Sequence, residues 1–270
     1  MFTFVKPLAF IKKDLIEASS YKFAFMTQFV GILFSTVVYY FISKLIGEAA
    51  TPYLKPYGGD YFSFVLIGTA FSSYLSLSLS SFSASISNAQ MMGTLEALLV
   101  TQTEIPTIVL SSSLYSFILT SFRVIIYIIL GAFLFGMKIG NANYPMALLI
   151  LILTIISFSS MGIMSASLVM VLKRGDPFTW VFSNLSWFLG GVYYPVSVLP
   201  EWVQKFSYLL PITYAMEGMR LALLKGYSFN ELSLNILALV IFSIVMLPLS
   251  VAVFILAVKK AKRDGSLTHY

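Results

Sequence analysis

The charged side chains inside apolar stretches are the first residues of this chain to consider for chemistry, because such residues are few. Of the 270 residues, 59% are hydrophobic and only 10% are charged. Arg123 lies in a long apolar stretch, where an unpaired charge costs at least about 2.5 kcal/mol on the mildest insertion scale. We expect its partner to be Glu217 or an anionic group of a bound molecule. The alternative is hydrogen bonding to neighbouring carbonyl groups, without a further role.

A second set of polar residues lies in an apolar stretch that prolines interrupt, residues 195–225. Glu217 and Arg220 are three residues apart, a spacing at which two side chains on a helix can pair. The three prolines of this stretch exclude one straight helix, because each removes a backbone donor and restricts its predecessor. Non-helical backbone at membrane depth persists only against protein or a water-filled cavity. We therefore predict two short helices that re-enter the outer leaflet as a gate; the alternative is a static interfacial lid.

Aromatic residues before this hairpin suggest the wall of a central cavity, since aromatic and apolar walls suit amphipathic molecules. The residues that we expect to line a substrate pathway or its gate are Arg123, Phe182, Trp187, Tyr193, Tyr194, Pro195, Trp202, Glu217 and Arg220.

The composition removes most enzyme chemistry. The chain has no cysteine and a single histidine, His269, so it offers neither a thiolate nor a histidine cluster for a metal ion or a nucleophile. No glycine is followed by lysine, so a Walker A loop is absent from the sequence. We predict that the chain is not an enzyme, contains no metal site and binds no nucleic acid.

Long apolar stretches must position these residues. Six are close to the roughly 20 residues that cross a bilayer, which predicts an all-α membrane protein with six transmembrane helices in one domain, residues 1–270. They run approximately over Phe23–Ile46, Tyr61–Ser87, Ile105–Phe135, Tyr144–Leu172, Phe178–Tyr194 and Leu234–Val258. Short connections on the side of the termini hold ten Lys and Arg residues against six on the other side. The positive-inside rule then predicts a multi-pass protein of the cytoplasmic membrane with both termini in the cytoplasm.

Two further segments differ from the spans. Residues 1–22 have apolar residues at helical spacing and predict an interfacial helix on the inner membrane surface, or else a solvated N-terminus. Residues 88–104 carry two acidic and no basic residues, unlike the other inner segments. Their methionines and leucines are suited to a mobile protein contact. We expect a docking helix for a cytoplasmic partner; a helix that merely joins two spans is the alternative.

These elements together resemble the ABC-2 permease family, the membrane subunits of ATP-driven exporters. The resemblance is carried by the GTLEALL element at residues 93–99, by GGVYYPVSVLPEW at 190–202 and by LLPITYAMEGMR at 209–220. It implies a coupling helix over residues 91–101 that inserts into a nucleotide-binding subunit. The coupling residues that it implies are Met91, Met92, Gly93, Thr94, Leu95 and Glu96. It further implies a second permease copy, as a homodimer or a pseudo-symmetric pair, with two ATPase subunits that bind ATP and Mg²⁺, and no cofactor on this chain.

The expected function is therefore outward movement of an amphipathic, drug-like, lipid or glycolipid substrate by alternating access. The competing class is a self-sufficient channel or an ion-coupled carrier. Ion-coupled carriers commonly hold carboxylates near the membrane midplane, and no predicted span has Asp or Glu in its middle. This favours coupling to ATP through a partner.

Overall fold

The computed structural model describes residues 22–91, 105–137, 139, 141–172 and 176–263. Its α-helices are α1 Lys22–Leu54, α2 Tyr61–Met91, α3 Ile105–Phe135, α4 Tyr144–Leu172, α5 Pro177–Leu189, α6 Glu201–Ser207, α7 Pro211–Arg220 and α8 Ser233–Arg263. A 3₁₀ turn follows α1, another precedes α6, and a π-helical turn, Leu221–Lys225, follows α7. No strand occurs in the described ranges, and the predicted all-α membrane fold is confirmed.

Helix α2 lies at the centre of the bundle and packs against α1, α3 and α4, while α4 also packs along α8. Small residues allow the close approach of α2 and α4. A Cβ atom on Gly162 of α4 would collide with the Ser78 carbonyl of α2, so these backbones touch where only glycine fits. The large side chains Tyr74, Phe82 and Phe158 are fully buried around this contact.

Five described helices, α1, α2, α3, α4 and α8, are long and apolar enough to cross a membrane. The predicted count of six spans is not confirmed, because the fifth predicted span forms only the 13-residue helix α5. At 1.5 Å per residue such a helix extends about 20 Å, short of a hydrocarbon core of about 30 Å. It ends at Leu189 with Gly190 as its C-cap, and Gly191 follows with φ 71°, a left-handed conformation that a side chain disfavours.

The short helix α5 nevertheless returns the chain along α2. At its start, Thr179 donates a hydrogen bond to the Leu79 carbonyl of α2. Just after its end, the Arg220 side chain donates hydrogen bonds both to the Val192 carbonyl and to the Phe64 carbonyl of α2. Leu79 and Phe64 are 15 residues apart on α2, or about 22 Å. We call the end of the bundle where α2 begins and residues 195–225 lie the hairpin end, and the end where α2 stops at Met91 the opposite end.

The start of α5 agrees with its sequence. Asp176 is the N-cap and accepts a hydrogen bond from the Thr179 amide at 2.9 Å, and Pro177 occupies the first turn. Ser165 of α4 donates its hydroxyl to the same carboxylate at 2.6 Å. The cap therefore also fastens α5 to α4 at its end remote from the hairpin.

The predicted interfacial helix, residues 1–22, lies outside the described residues except for Lys22, whose backbone begins α1. Of the predicted coupling region, residues 88–104, only 88–91 are described, as the last turn of α2. Met91 is exposed there, and Met92, Gly93, Thr94, Leu95 and Glu96 lie outside the described residues.

Candidate functional site

The hairpin at residues 195–225 consists of two short helices held by local hydrogen bonds. Pro200 precedes α6, and Pro211 begins α7, where a missing backbone donor costs least. The Thr213 hydroxyl of α7 donates to the Ser207 carbonyl of α6 at 2.6 Å. Gln204 donates to the Leu199 carbonyl at 2.8 Å, which fixes the entry into α6. The hairpin is thus a small unit that is held together by its own hydrogen bonds.

Arg220 joins this hairpin to the rest of the bundle. Its guanidinium is buried, with 2% of the residue exposed, and donates from Nε to the Phe64 carbonyl at 3.1 Å. Nη1 donates to Gly191 O and Nη2 to Val192 O, both at 2.7 Å. The guanidinium carbon also lies 3.4 Å from the centre of the Phe64 ring, a cation–π contact. We call Arg220, the Phe64 ring and these three carbonyls the arginine clamp; it ties α7 to α2 and to the turn after α5.

Gly68 of α2 provides the space for the arginine clamp. A Cβ atom at this position would collide with Nη2 of Arg220 and with the Val192 carbonyl. The sequence interpretation did not single out Gly68. Its signal was a lone glycine within a long apolar helix, which often marks a close approach of another group.

The predicted pairing of Glu217 with Arg123 or Arg220 is wrong. Arg123 donates from Nε to the Gln28 side chain of α1 at 3.3 Å, and Arg220 donates to backbone carbonyls. Twelve residues, about 18 Å of helix, separate Arg123 from the end of α3 at the hairpin end, where Glu217 lies. Glu217 instead accepts a hydrogen bond from Asn235 of α8 at 3.4 Å. Burial raises the pKa of the Glu217 carboxyl, and the Asn235 hydrogen bond and the Arg220 charge offset only part of this effect.

A polar cavity of about 210 Å³ lies between the hairpin, the turn after α1 and the turn after α5. Its polar wall is formed by Tyr57, Ser197, Tyr208, Thr213, Glu217 and Arg220, and Pro195 also lines it. Three of the predicted pathway residues therefore meet around one cavity, although no two of them form an ion pair.

An apolar groove of about 390 Å³ lies on the other side of the hairpin, between α5 and α6. It is lined by Leu185, Phe188, Leu189, Trp202, Val203, Phe206, Leu209 and Leu210. Tyr208 lines the polar cavity, whereas the next two residues, Leu209 and Leu210, line the groove. A single turn of the chain therefore lies between the polar and the apolar surface.

The other predicted pathway residues do not line the polar cavity, and one of them, Trp202, lines the apolar groove. Trp187 and Tyr193 contact each other, with ring centres 5.4 Å apart, and Tyr193 also lies 6.4 Å from Tyr39 of α1. The Tyr194 hydroxyl donates to the Phe188 carbonyl at 2.6 Å, which stabilises the turn after α5. Phe182 stacks on Phe178 within α5 at 4.3 Å. These aromatic residues thus lie on α5 or in the turn after it, while Arg123 lies apart on α3.

The described helices thus form a membrane bundle that is closed at one end by a proline-broken hairpin. The family model of the ABC-2 type transporter matches residues 8–224, so the chain belongs to the ABC-2 type transporter family. Members of this family are permease subunits that generally pair with an ATP-binding subunit.

One similar protein is Nodulation protein J of Sinorhizobium fredii (strain NBRC 101917 / NGR234), with 33% identity over 115 residues. The match covers 42% of this chain and 44% of the relative, so the chain spans less than half the length of that relative.

Proposed function

We propose that this chain is the permease subunit of an ATP-driven exporter that moves an amphipathic, drug-like, lipid or glycolipid molecule outward by alternating access. The polar cavity and the apolar groove on the two sides of the hairpin support this substrate class. An amphipathic molecule released at this point meets a polar surface for its head group and an apolar surface for its tail.

One observation carries the proposed coupling: the arginine clamp fastens the hairpin to the same helix whose other end enters the predicted coupling region. Helix α2 is continuous over 31 residues, about 46 Å, from Met91 to Tyr61. A push on residues 91–101 at the opposite end is therefore transmitted by one rigid element to Phe64, beside Arg220. Opening the hairpin by this motion gives alternating access.

The energy source in this proposal is a separate subunit, because these 270 residues contain no Walker A loop. Two nucleotide-binding subunits bind ATP and Mg²⁺ and contact the coupling residues from Met91 to Glu96. A second copy of this chain completes the permease as a homodimer. Both termini lie on the cytoplasmic side of the cytoplasmic membrane, which positions the hairpin outside.

Co-purification tests the partner and the contact together. The chain is purified from its host in mild detergent, and ATP hydrolysis is measured for wild type and for Glu96→Arg. We expect an ATPase to accompany wild type and to be lost with Glu96→Arg. The matched control is Glu48→Arg, the same charge reversal at an exposed position of α1 remote from the coupling region. Recovery of a lone stable oligomer in every sample would favour the channel or the ion-coupled carrier.

A cross-link tests the gate. The chain has no cysteine, so Phe188→Cys on α5 and Phe206→Cys on α6 introduce the only thiols. Both residues are exposed and line the apolar groove. A short bifunctional thiol reagent should then hold α6 against α5 and stop ATP turnover by the assembled complex, while each single variant keeps its activity. Full turnover in the cross-linked protein would contradict a moving hairpin.

A further inference from the structure

Arg123 and Gln28 form a second polar site, on α1 and α3, that the hairpin does not use. We propose that these two side chains bind the phosphate group of an anionic amphiphile at the surface that α1 and α3 form. The described hydrogen bond of the guanidinium is one 3.3 Å contact from Nε to the neutral Gln28 amide oxygen. Among the described residues, Arg123 forms no ion pair with a carboxylate.

The position of Arg123 within the helix indicates the depth of this site. Helix α3 runs over Ile105–Phe135, so Arg123 lies 18 residues, about 27 Å, from its beginning and 12 residues, about 18 Å, from its end. Side chains on a helix lean toward its N-terminus, which for α3 is at the opposite end. A long arginine side chain therefore extends its guanidinium from the interior of α3 toward the opposite end of the bundle.

The surface around Arg123 is open and apolar. Arg123 is partly exposed, and Phe122 and Ile125 beside it are exposed. On α1, Phe29 is exposed next to Gln28. A molecule that reaches the guanidinium along this surface thus meets apolar side chains around a single charge, which suits a phosphate on an acyl chain better than a free phosphate ion.

The arginine clamp provides the comparison within the same molecule. Arg220 is buried and uses Nε, Nη1 and Nη2 on protein carbonyls, so its charge is satisfied by the fold itself. Arg123 uses Nε on a neutral amide, and its planar fork matches the two oxygens of a phosphate. An ionisable residue within a membrane span that has no carboxylate partner among the described residues is a functional-site hypothesis.

Binding is tested in a phosphate-free detergent with two lipids of the same acyl chains, phosphatidic acid and diacylglycerol. We expect phosphatidic acid to raise the thermal unfolding midpoint of wild type, and diacylglycerol and inorganic phosphate to have no comparable effect. Arg123→Gln should weaken phosphatidic acid binding by about tenfold or more, since a hydrogen bond to a charged group contributes about 1.5–3 kcal/mol. Arg263→Gln, at the exposed end of α8, is the matched control and should bind like wild type.

The expected loss of lipid binding does not arise from unfolding of the variants. Because Arg123 has no carboxylate partner among the described residues, the lipid-free midpoint of Arg123→Gln should be unchanged or higher. Gln28→Leu should also weaken binding. Equal binding by wild type and Arg123→Gln, or an equal shift with diacylglycerol or inorganic phosphate, would overturn the proposal.

The phosphate could belong to a transported molecule or to a resident lipid. Distinguishing the two rests on the proposed export function and needs a separate measurement. In the assembled complex, stimulation of ATP hydrolysis by phosphatidic acid in wild type but not in Arg123→Gln assigns the site to transported molecules. Binding without stimulation assigns it to a resident lipid, and either result supports the site. Failure of the ATPase to co-purify would instead refute the exporter, independently of the binding measurement.

Discussion

Replacing Arg220 by methionine should destabilise the protein substantially, because it removes the donors of the arginine clamp. The Phe64 carbonyl lies within α2 and keeps its helical hydrogen bond to a following amide. The carbonyls of Gly191 and Val192 have no other hydrogen bond among those the structure describes. Leaving each buried acceptor unsatisfied costs about 1–3 kcal/mol, or about 2–6 kcal/mol for both.

Two further terms oppose each other. Loss of the cation–π contact with Phe64 adds up to about 2 kcal/mol, while removal of a buried charge without a carboxylate partner returns part of its desolvation cost. We therefore expect the orphaned carbonyls to decide the sign. Arg220→Lys keeps the charge but has no planar fork, so it should satisfy one carbonyl and show about half the loss.

The assay is thermal unfolding of the purified protein in detergent, followed by tryptophan fluorescence. A chain of this size shifts by about 2–4 °C per kcal/mol, so Arg220→Met should unfold at least about 4 °C below wild type. Lys225→Met is the matched control, since Lys225 is an exposed cation five residues further on. A midpoint for Arg220→Met that equals both wild type and this control would refute the reasoning.

Three smaller changes test neighbouring parts of the structure by the same measurement. Gly68→Ala should destabilise because its Cβ collides with the arginine clamp, whereas Gly47→Ala, at a position with open space, should not; equal midpoints would contradict the collision. Asp176→Ala removes the N-cap of α5 and should cost about 0.5–2 kcal/mol, with partial recovery in Asp176→Asn; no loss would remove the role of the cap. Because burial raises the pKa of Glu217, its contribution to stability is largest below the ordinary pKa of glutamate and is lost as pH rises through the folded value. Glu217→Gln should flatten this pH dependence, and an unchanged slope would contradict it.

The fold class was predictable from hydropathy, but the length of α5 was not. The stretch Phe178–Tyr194 is apolar enough for a span, and hydropathy measures only that property. The helix ends at Leu189 because Gly190 and Gly191 lack side chains and Gly191 adopts a left-handed conformation. The adjacent glycines were visible in the sequence, whereas the carbonyls that they expose to Arg220 were not.

The residues that form the site could be predicted from the sequence better than the contacts among them. Pro195, Glu217 and Arg220 were expected at a gate and do line one cavity. The expected pairing of Glu217 with Arg220 is wrong because Arg220 donates to backbone carbonyls, an alternative that was considered only for Arg123. Phe64 contributes its carbonyl group, and Gly68 contributes space because it has no side chain. Neither contribution can be predicted from residue type alone.

The two membrane arginines show why charge in an apolar stretch has to be interpreted by its partners. Arg220 has three carbonyl acceptors and an aromatic ring, so each of its three guanidinium nitrogens donates to the protein and its role is to hold α7 on α2. Arg123 has one described neutral acceptor and a partly exposed surface. Substitution by a neutral residue should therefore lower stability at Arg220 and leave it unchanged or higher at Arg123. Helix α2 contacts both α3, which carries Arg123, and α7, which carries Arg220. The difference in stability would therefore distinguish Arg220, which positions the gate, from Arg123, which remains available to a ligand.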